Sequence, residues 1–89
     1  MNPKRQLLLE KIREERVRQL NLPGSEFDIK RTPNDWLAIS GRYLFGSAFA
    51  KNMKPSAKNY HDDLVKAAAV ILAALENIDK MKEEGHLDD

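Results

Sequence analysis

The chain has no cysteine and only two histidines, His61 and His86. The first absence excludes a disulfide scaffold and any thiolate metal site, and it suits a reducing cytoplasm. The second leaves no His/Cys set with zinc-ligand spacing. Aromatic residues are also sparse, and no basic run is studded with them, which disfavours nucleic acid as a partner. No P-loop, dinucleotide fingerprint, nucleophile elbow, HExxH or EF-hand loop occurs, so no catalytic residue is assigned. Leu7-Leu8-Leu9 follows Lys4 and Arg5, but charge resumes at Glu10, and no signal peptide is expected. The longest apolar run, Leu64 to Leu75, would extend only about 18 Å as a helix, against about 30 Å for a membrane core.

That run, LVKAAAVILAAL, is the feature around which the chain is organised, with Lys66 its one polar interruption. Leu64, Ala67, Ala68, Ile71, Leu75 and Ile78 form one helical stripe, and Val65, Ala69, Leu72 and Ala73 form a second. A helix apolar on both sides needs cover from more than one neighbour, and its alanines permit close approach. The spacing predicts a helix over 59–83, capped near Asn59, with Asp62 and Asp63 at its positive end and Gly85 beyond its close. Eighty-nine residues make one small domain, and a second copy of the chain is a direct way to complete its core.

Charge is unevenly divided. Residues 1–58 carry 12 Lys/Arg and 6 Asp/Glu, and residues 59–89 carry 3 and 8. The basic part could attract phosphate-bearing ligands, or face the acidic end of its own or a partner chain. The second reading is preferred because acids interrupt the basic residues.

Residues 3–20 are predicted as a helix, with Leu9, Ile12, Val17 and Leu20 as its apolar stripe. Arg16 projects into the middle of that stripe, with Glu15 and Gln19 at its edge. Such residues need partners, either a structural ion pair or a ligand at the edge of a site. Residues 21–32 form a long connection turning at Pro23-Gly24, in which Phe27 and Ile29 alternate with Asp28 and Lys30 as a short extended piece would. Thr32-Pro33-Asn34-Asp35 reads as the start of a helix over 33–52. Trp36, Ile39, Tyr43 and Ala50 repeat along it, and Gly41 and Gly46 suggest a close backbone contact. Trp36 and Tyr43 suit the core, with stacking on a nucleobase as the alternative. The architecture expected is an all-α chain of three helices, 3–20, 33–52 and 59–83, completing a bundle as a homodimer.

Several of these residues carry a family resemblance. Glu15-Arg16-Val17-Arg18-Gln19, then Asp35-Trp36 leading to Tyr43, then Asp63-Leu64-Val65-Lys66-Ala67-Ala68-Ala69 through Leu75-Glu76 resemble small bacteriophage and prophage proteins similar to the MazG-like all-α nucleotide pyrophosphohydrolases. The similarity spans about residues 12–79 and is strongest in the last helix. It implies an all-α, dimeric fold in a bacterial cytoplasm. In the enzymes, acidic helix residues hold Mg²⁺ while a nucleoside triphosphate is cut to monophosphate and pyrophosphate. Carried over, Glu15, Asp35, Asp63 and Glu76 are the candidate metal ligands. Glu15, Arg16, Gln19, Trp36, Tyr43 and Lys66 are candidates for binding a ligand or partner. Ala74 stands where the family has its penultimate acid, and the acidic loop is reduced to Glu26 and Asp28. These departures favour a phage-type accessory protein that binds a protein partner or nucleotide, as regulator or inhibitor of a host process, over a Mg²⁺-dependent pyrophosphohydrolase.

Overall fold

The computed structural model describes residues 2–45 and 54–89. Within them the chain is helical, with α1 over Pro3–Leu20, a 3-10 helix over Ser25–Lys30, α2 over Pro33–Leu44, α3 over Ala57–Glu76 and α4 over Ile78–Glu83. No strand occurs among the described residues, which makes the fold all-α. None of these helices is long and apolar enough to cross a membrane.

Helix starts follow local chemistry. Asn2 caps α1, its side-chain oxygen accepting from the Lys4 N–H at 2.8 Å, and Pro3 occupies a first-turn position where no amide donor is needed. At α2 a full capping box forms: Thr32 Oγ1 accepts from the Asp35 N–H, and Asp35 Oδ2 accepts from the Thr32 N–H at 2.9 Å.

The third helix begins earlier than its charge pattern suggests. Ser56, not Asn59, is the cap, and its Oγ accepts from the Asn59 N–H at 3.0 Å. Asp62 and Asp63 therefore lie beyond the first turn and do not cap it. Asp62 instead takes the Lys58 ammonium at 2.7 Å, one turn back on the same face. The span expected as one helix is interrupted at Asn77. Its side-chain amide donates to the Ala73 carbonyl at 2.7 Å, the backbone competition by which Asn ends a helix. The short α4 closes with paired bonds, His86 N–H to Met81 O and Gly85 N–H to Lys82 O, with Gly85 at φ +80°.

α3 lies between α1 and α2 and packs on both. Ala67, Ala69 and Ala73 are fully covered, their small side chains setting the close approach that the sequence anticipates. Trp36, Val70, Ala73 and Met81 form the core cluster, with Ile39, Tyr43, Ala74 and Leu87 packed around it. Two packing expectations fail. Leu9, Val17 and Leu20 remain exposed, because α1 turns Ile12, Glu15, Arg16 and Gln19 toward α3 instead. A Cβ at Gly41 would meet only Phe45 at 4.0 Å, an ordinary contact, so no close backbone approach explains that glycine. Gly46, Ala50 and the predicted extension of α2 to residue 52 lie outside the described residues.

Candidate functional site

Arg16 is the charged residue the sequence places inward, and the structure buries it to 8% exposure. A guanidinium out of water needs anionic partners in the right geometry. Arg16 Nε lies 2.8 Å from Glu76 Oε1 at the end of α3, and its Nη1 is 4.0 Å from Asp28 Oδ2 on the 3-10 helix. Asp28 Oδ1 also accepts from Arg31 Nε at 3.0 Å, and the Arg31 guanidinium sits 5.6 Å from the centroid of the Trp36 ring. The sequence Glu76, Arg16, Asp28, Arg31, Trp36 thus joins α3, α1, the 3-10 helix and α2.

The 3-10 helix explains how Asp28 reaches this position. Gly24 at φ +94° turns the chain after α1, and Ser25 Oγ donates to the Leu20 carbonyl at 2.7 Å. Phe27 N–H then bonds Gly24 O, and Arg31 N–H bonds Asp28 O, the three-residue closure of a tight helix. In an extended piece Phe27 and Ile29 would pack inward. In the 3-10 turn both are exposed, and Asp28, between them, faces the body. Pairing with two guanidiniums outweighs the alternation that predicted an extended segment.

Beneath this turn lies a cleft of about 130 Å³, to which Arg16, Gln19, Ser25, Asp28, Arg31, Trp36 and Tyr43 contribute. Four of the six binding candidates, Arg16, Gln19, Trp36 and Tyr43, therefore share one concave surface. The other two are tied to it through Gln19, whose amide donates to Glu15 Oε2 at 3.1 Å and to the Lys66 carbonyl at 3.3 Å. Trp36 Nε1 is buried without a hydrogen-bond partner among the described residues. Asp28 and Arg31 also line the cleft, although the sequence alone marks neither as a binding residue. Their signal was indirect, namely that a buried Arg16 demands an acid, and the nearest loop supplies Asp28.

The four candidate metal ligands are not brought together. Glu15 accepts from Arg18 Nε at 2.7 Å and Nη2 at 2.6 Å, a bidentate pair. That hydrogen bond holds the Glu15 carboxyl below its ordinary range and raises Arg18 in turn. Glu76 is taken by Arg16. Asp35 is taken by the α2 cap, whose backbone N–H lowers its affinity for a proton. Asp63 is half-buried on α3 with no hydrogen bond or ion pair among the described residues. Within one chain, no group of three or more His, Cys, Asp or Glu among the described residues is placed to hold a metal ion. The donor set therefore does not fit a shared Mg²⁺ inside one chain.

A second polar groove runs between α1 and α3, lined by Lys11, Glu14, Glu15, Arg18, His61 and Asp62. Here too the acids face bases. Lys58 and then His61, whose Nδ1 is 3.2 Å from Asp62 Oδ1, hold the Asp62 carboxyl below its usual range. The matched charges of the first surface tie separate helices together, whereas in the second each pair lies within one helix, Glu15 with Arg18 on α1 and Asp62 with Lys58 on α3. Comparison with family models, with curated proteins and with solved structures yields no match to this chain.

Proposed function

We propose that this chain is a phage-type accessory protein with a MazG-like helical fold. It acts as a homodimer in a bacterial cytoplasm, by binding a protein partner or nucleotide as regulator or inhibitor of a host process. The observation that carries this reading is the pairing of Glu15 with Arg18 and of Glu76 with Arg16. Carboxylates that would have to hold Mg²⁺ in a pyrophosphohydrolase are neutralised by the chain's own guanidiniums. Freeing Glu76 for a metal would leave the buried Arg16 with only Asp28 at 4.0 Å, and freeing Glu15 would give up its bidentate pair with Arg18. Binding makes no such demand. The cleft under the 3-10 turn offers guanidinium and phenol donors to a small polar group, and the uncovered leucines and isoleucines offer apolar area to a protein.

The test is incubation with a panel of ribo- and deoxyribonucleoside triphosphates in Mg²⁺ or Mn²⁺. The expected outcome is no pyrophosphate release above the uncatalysed background. Robust release, lost in Glu15→Gln and Asp63→Asn, would contradict the reading and establish the Mg²⁺-dependent pyrophosphohydrolase in its place.

A further inference from the structure

The surface of the chain is too large for its mass. It exposes 6965 Å², whereas a compact monomer of 10.2 kDa exposes about 5,300 Å². Its radius of gyration is 14.5 Å, against about 12 Å for a globular chain of this length. The excess, roughly 1,600 Å², is about twice what each partner buries in a standard protein interface.

One part of this surface has a regular pattern. Leu64, Ala68, Ile71 and Leu75 on α3 recur at intervals of four, three and four residues, and Ile78 at the start of α4 continues the series. That is the spacing of a coiled-coil seam, with Ala68 and Leu75 at one core position and Leu64 and Ile71 at the other. Leu64 is 40% exposed, Ile71 45% and Leu75 60%. Beside the seam, α2 and α3 enclose an apolar groove of about 270 Å³, walled by Trp36, Leu37, Ile71, Leu75, Ile78 and Met81. Its polar member, Ser40, already donates its hydroxyl to the Trp36 carbonyl. Ridge and groove therefore lie side by side on one chain, the self-complementary arrangement that a two-fold axis requires. The exposed leucines of α1 lack this organisation, since Lys4, Arg5, Glu10 and Lys11 surround Leu7, Leu8 and Leu9.

We infer that this face is the interface with a second copy of the chain, in which the two α3 helices pack antiparallel, each lying along the other's α2–α3 groove. Charge selects the direction. Residues 76–89 carry six carboxylates and two lysines, so a parallel pair would stack two acidic ends on each other. An antiparallel pair sets them at opposite ends, each toward the half of α3 in which Lys58 and Lys66 offset Asp62 and Asp63, so that an acidic end meets a neutral one. Antiparallel register places Leu64 opposite the second copy's Leu75 and the small Ala68 opposite its Ile71, matching volume across each layer. The inference rests on the proposed reading of the chain as a dimeric binding protein, and it specifies the surface and direction of pairing.

The test uses the absence of cysteine. Leu64→Cys and Leu75→Cys chains are prepared separately, mixed to allow exchange, and oxidised mildly. The mixture is expected to form disulfide-linked dimers, and each variant alone to stay unlinked, since a disulfide needs Cα atoms within about 7 Å. Sedimentation should give the wild type a dimeric mass, and Leu75→Glu should weaken association by about a hundredfold, because the charge enters the seam twice. Leu7→Glu on α1 should leave it unchanged. A monomeric wild type, a Leu75→Glu chain that stays dimeric, or linkage of either cysteine variant with itself would overturn the inference. A negative result here with no pyrophosphate release would leave non-catalytic binding standing, whereas release with the expected cross-links would remove only the binding reading.

Discussion

Arg16 Nε and Glu76 Oε1, sixty residues apart in sequence, lie 2.8 Å apart and fasten the inner face of α1 to the last turn of α3. Arg16 is buried while the Glu76 side chain is about half exposed. Replacing Arg16 by Met should destabilise the chain by about 2 kcal/mol, below the roughly 3–5 kcal/mol of a fully buried pair because Glu76 can recover water. Glu76→Gln should cost about 1 kcal/mol, as a neutral oxygen remains to accept the bond. Urea unfolding of both single variants and the double variant measures this directly, and additive losses would mean the pair is not coupled.

The start of α3 gives a sharper contrast. Ser56→Ala should cost about 1 kcal/mol, whereas Asn59→Ala, one turn inside the helix, should cost close to nothing. Thermal melts of the two variants suffice. The reverse order would place the cap at Asn59, where the acid spacing first suggested it.

Acid stability should depend on Glu15, Asp35 and Asp62. Each is held below its ordinary value, by Arg18, by the Thr32 N–H and by Lys58 respectively. A carboxyl with a depressed folded-state value binds fewer protons folded than unfolded. Its contribution is complete above the unfolded range of about pH 4 and is lost as pH falls through the lower folded values. The urea midpoint should therefore hold level near neutrality and decline below about pH 4, and Asp35→Asn and Glu15→Gln should each flatten that decline. An unaltered acid limb in both would show that these groups do not carry it.

Among the described residues two glycines sit in the left-handed region, Gly24 ahead of the 3-10 helix and Gly85 after α4. No atom lies within 4 Å of a Cβ built at either, so only backbone strain opposes substitution. Gly24→Ala and Gly85→Ala should each cost about 1 kcal/mol, and the Asn variants less, because Asn tolerates this conformation. Equal losses for Ala and Asn in urea unfolding would point to a cause other than φ.

Helix identity was legible where side chains act on their own backbone. Pro3, the Thr32–Asp35 box and Gly85 mark ends that the structure reproduces. The inward Arg16 was also legible, since periodicity alone fixes which face it shares. What escaped depends on distant partners. Asp28 turns inward because Arg16 and Arg31 await it, and no local pattern announces that. Ser56 hides behind Pro55, and Asn77 breaks a pattern whose apolar spacing continues through it to Ile78. The candidate site was half legible for the same reason. Arg16, Gln19, Trp36 and Tyr43 share a cleft, whereas Asp35 serves a helix cap and Asp63 belongs to no group of acids placed to hold a metal ion among the described residues.

Glu15 and Glu76 are paired with arginines, and neither is expected to hold a metal. Titration of ¹⁵N-labelled protein with Mn²⁺ tests it most directly, because the ion broadens amide signals around any site it occupies. Only weak, unsaturable broadening spread over exposed acids is expected. Saturable broadening centred on the α1 and α3 amides flanking Glu15 and Glu76, and abolished by Glu15→Gln, would contradict it.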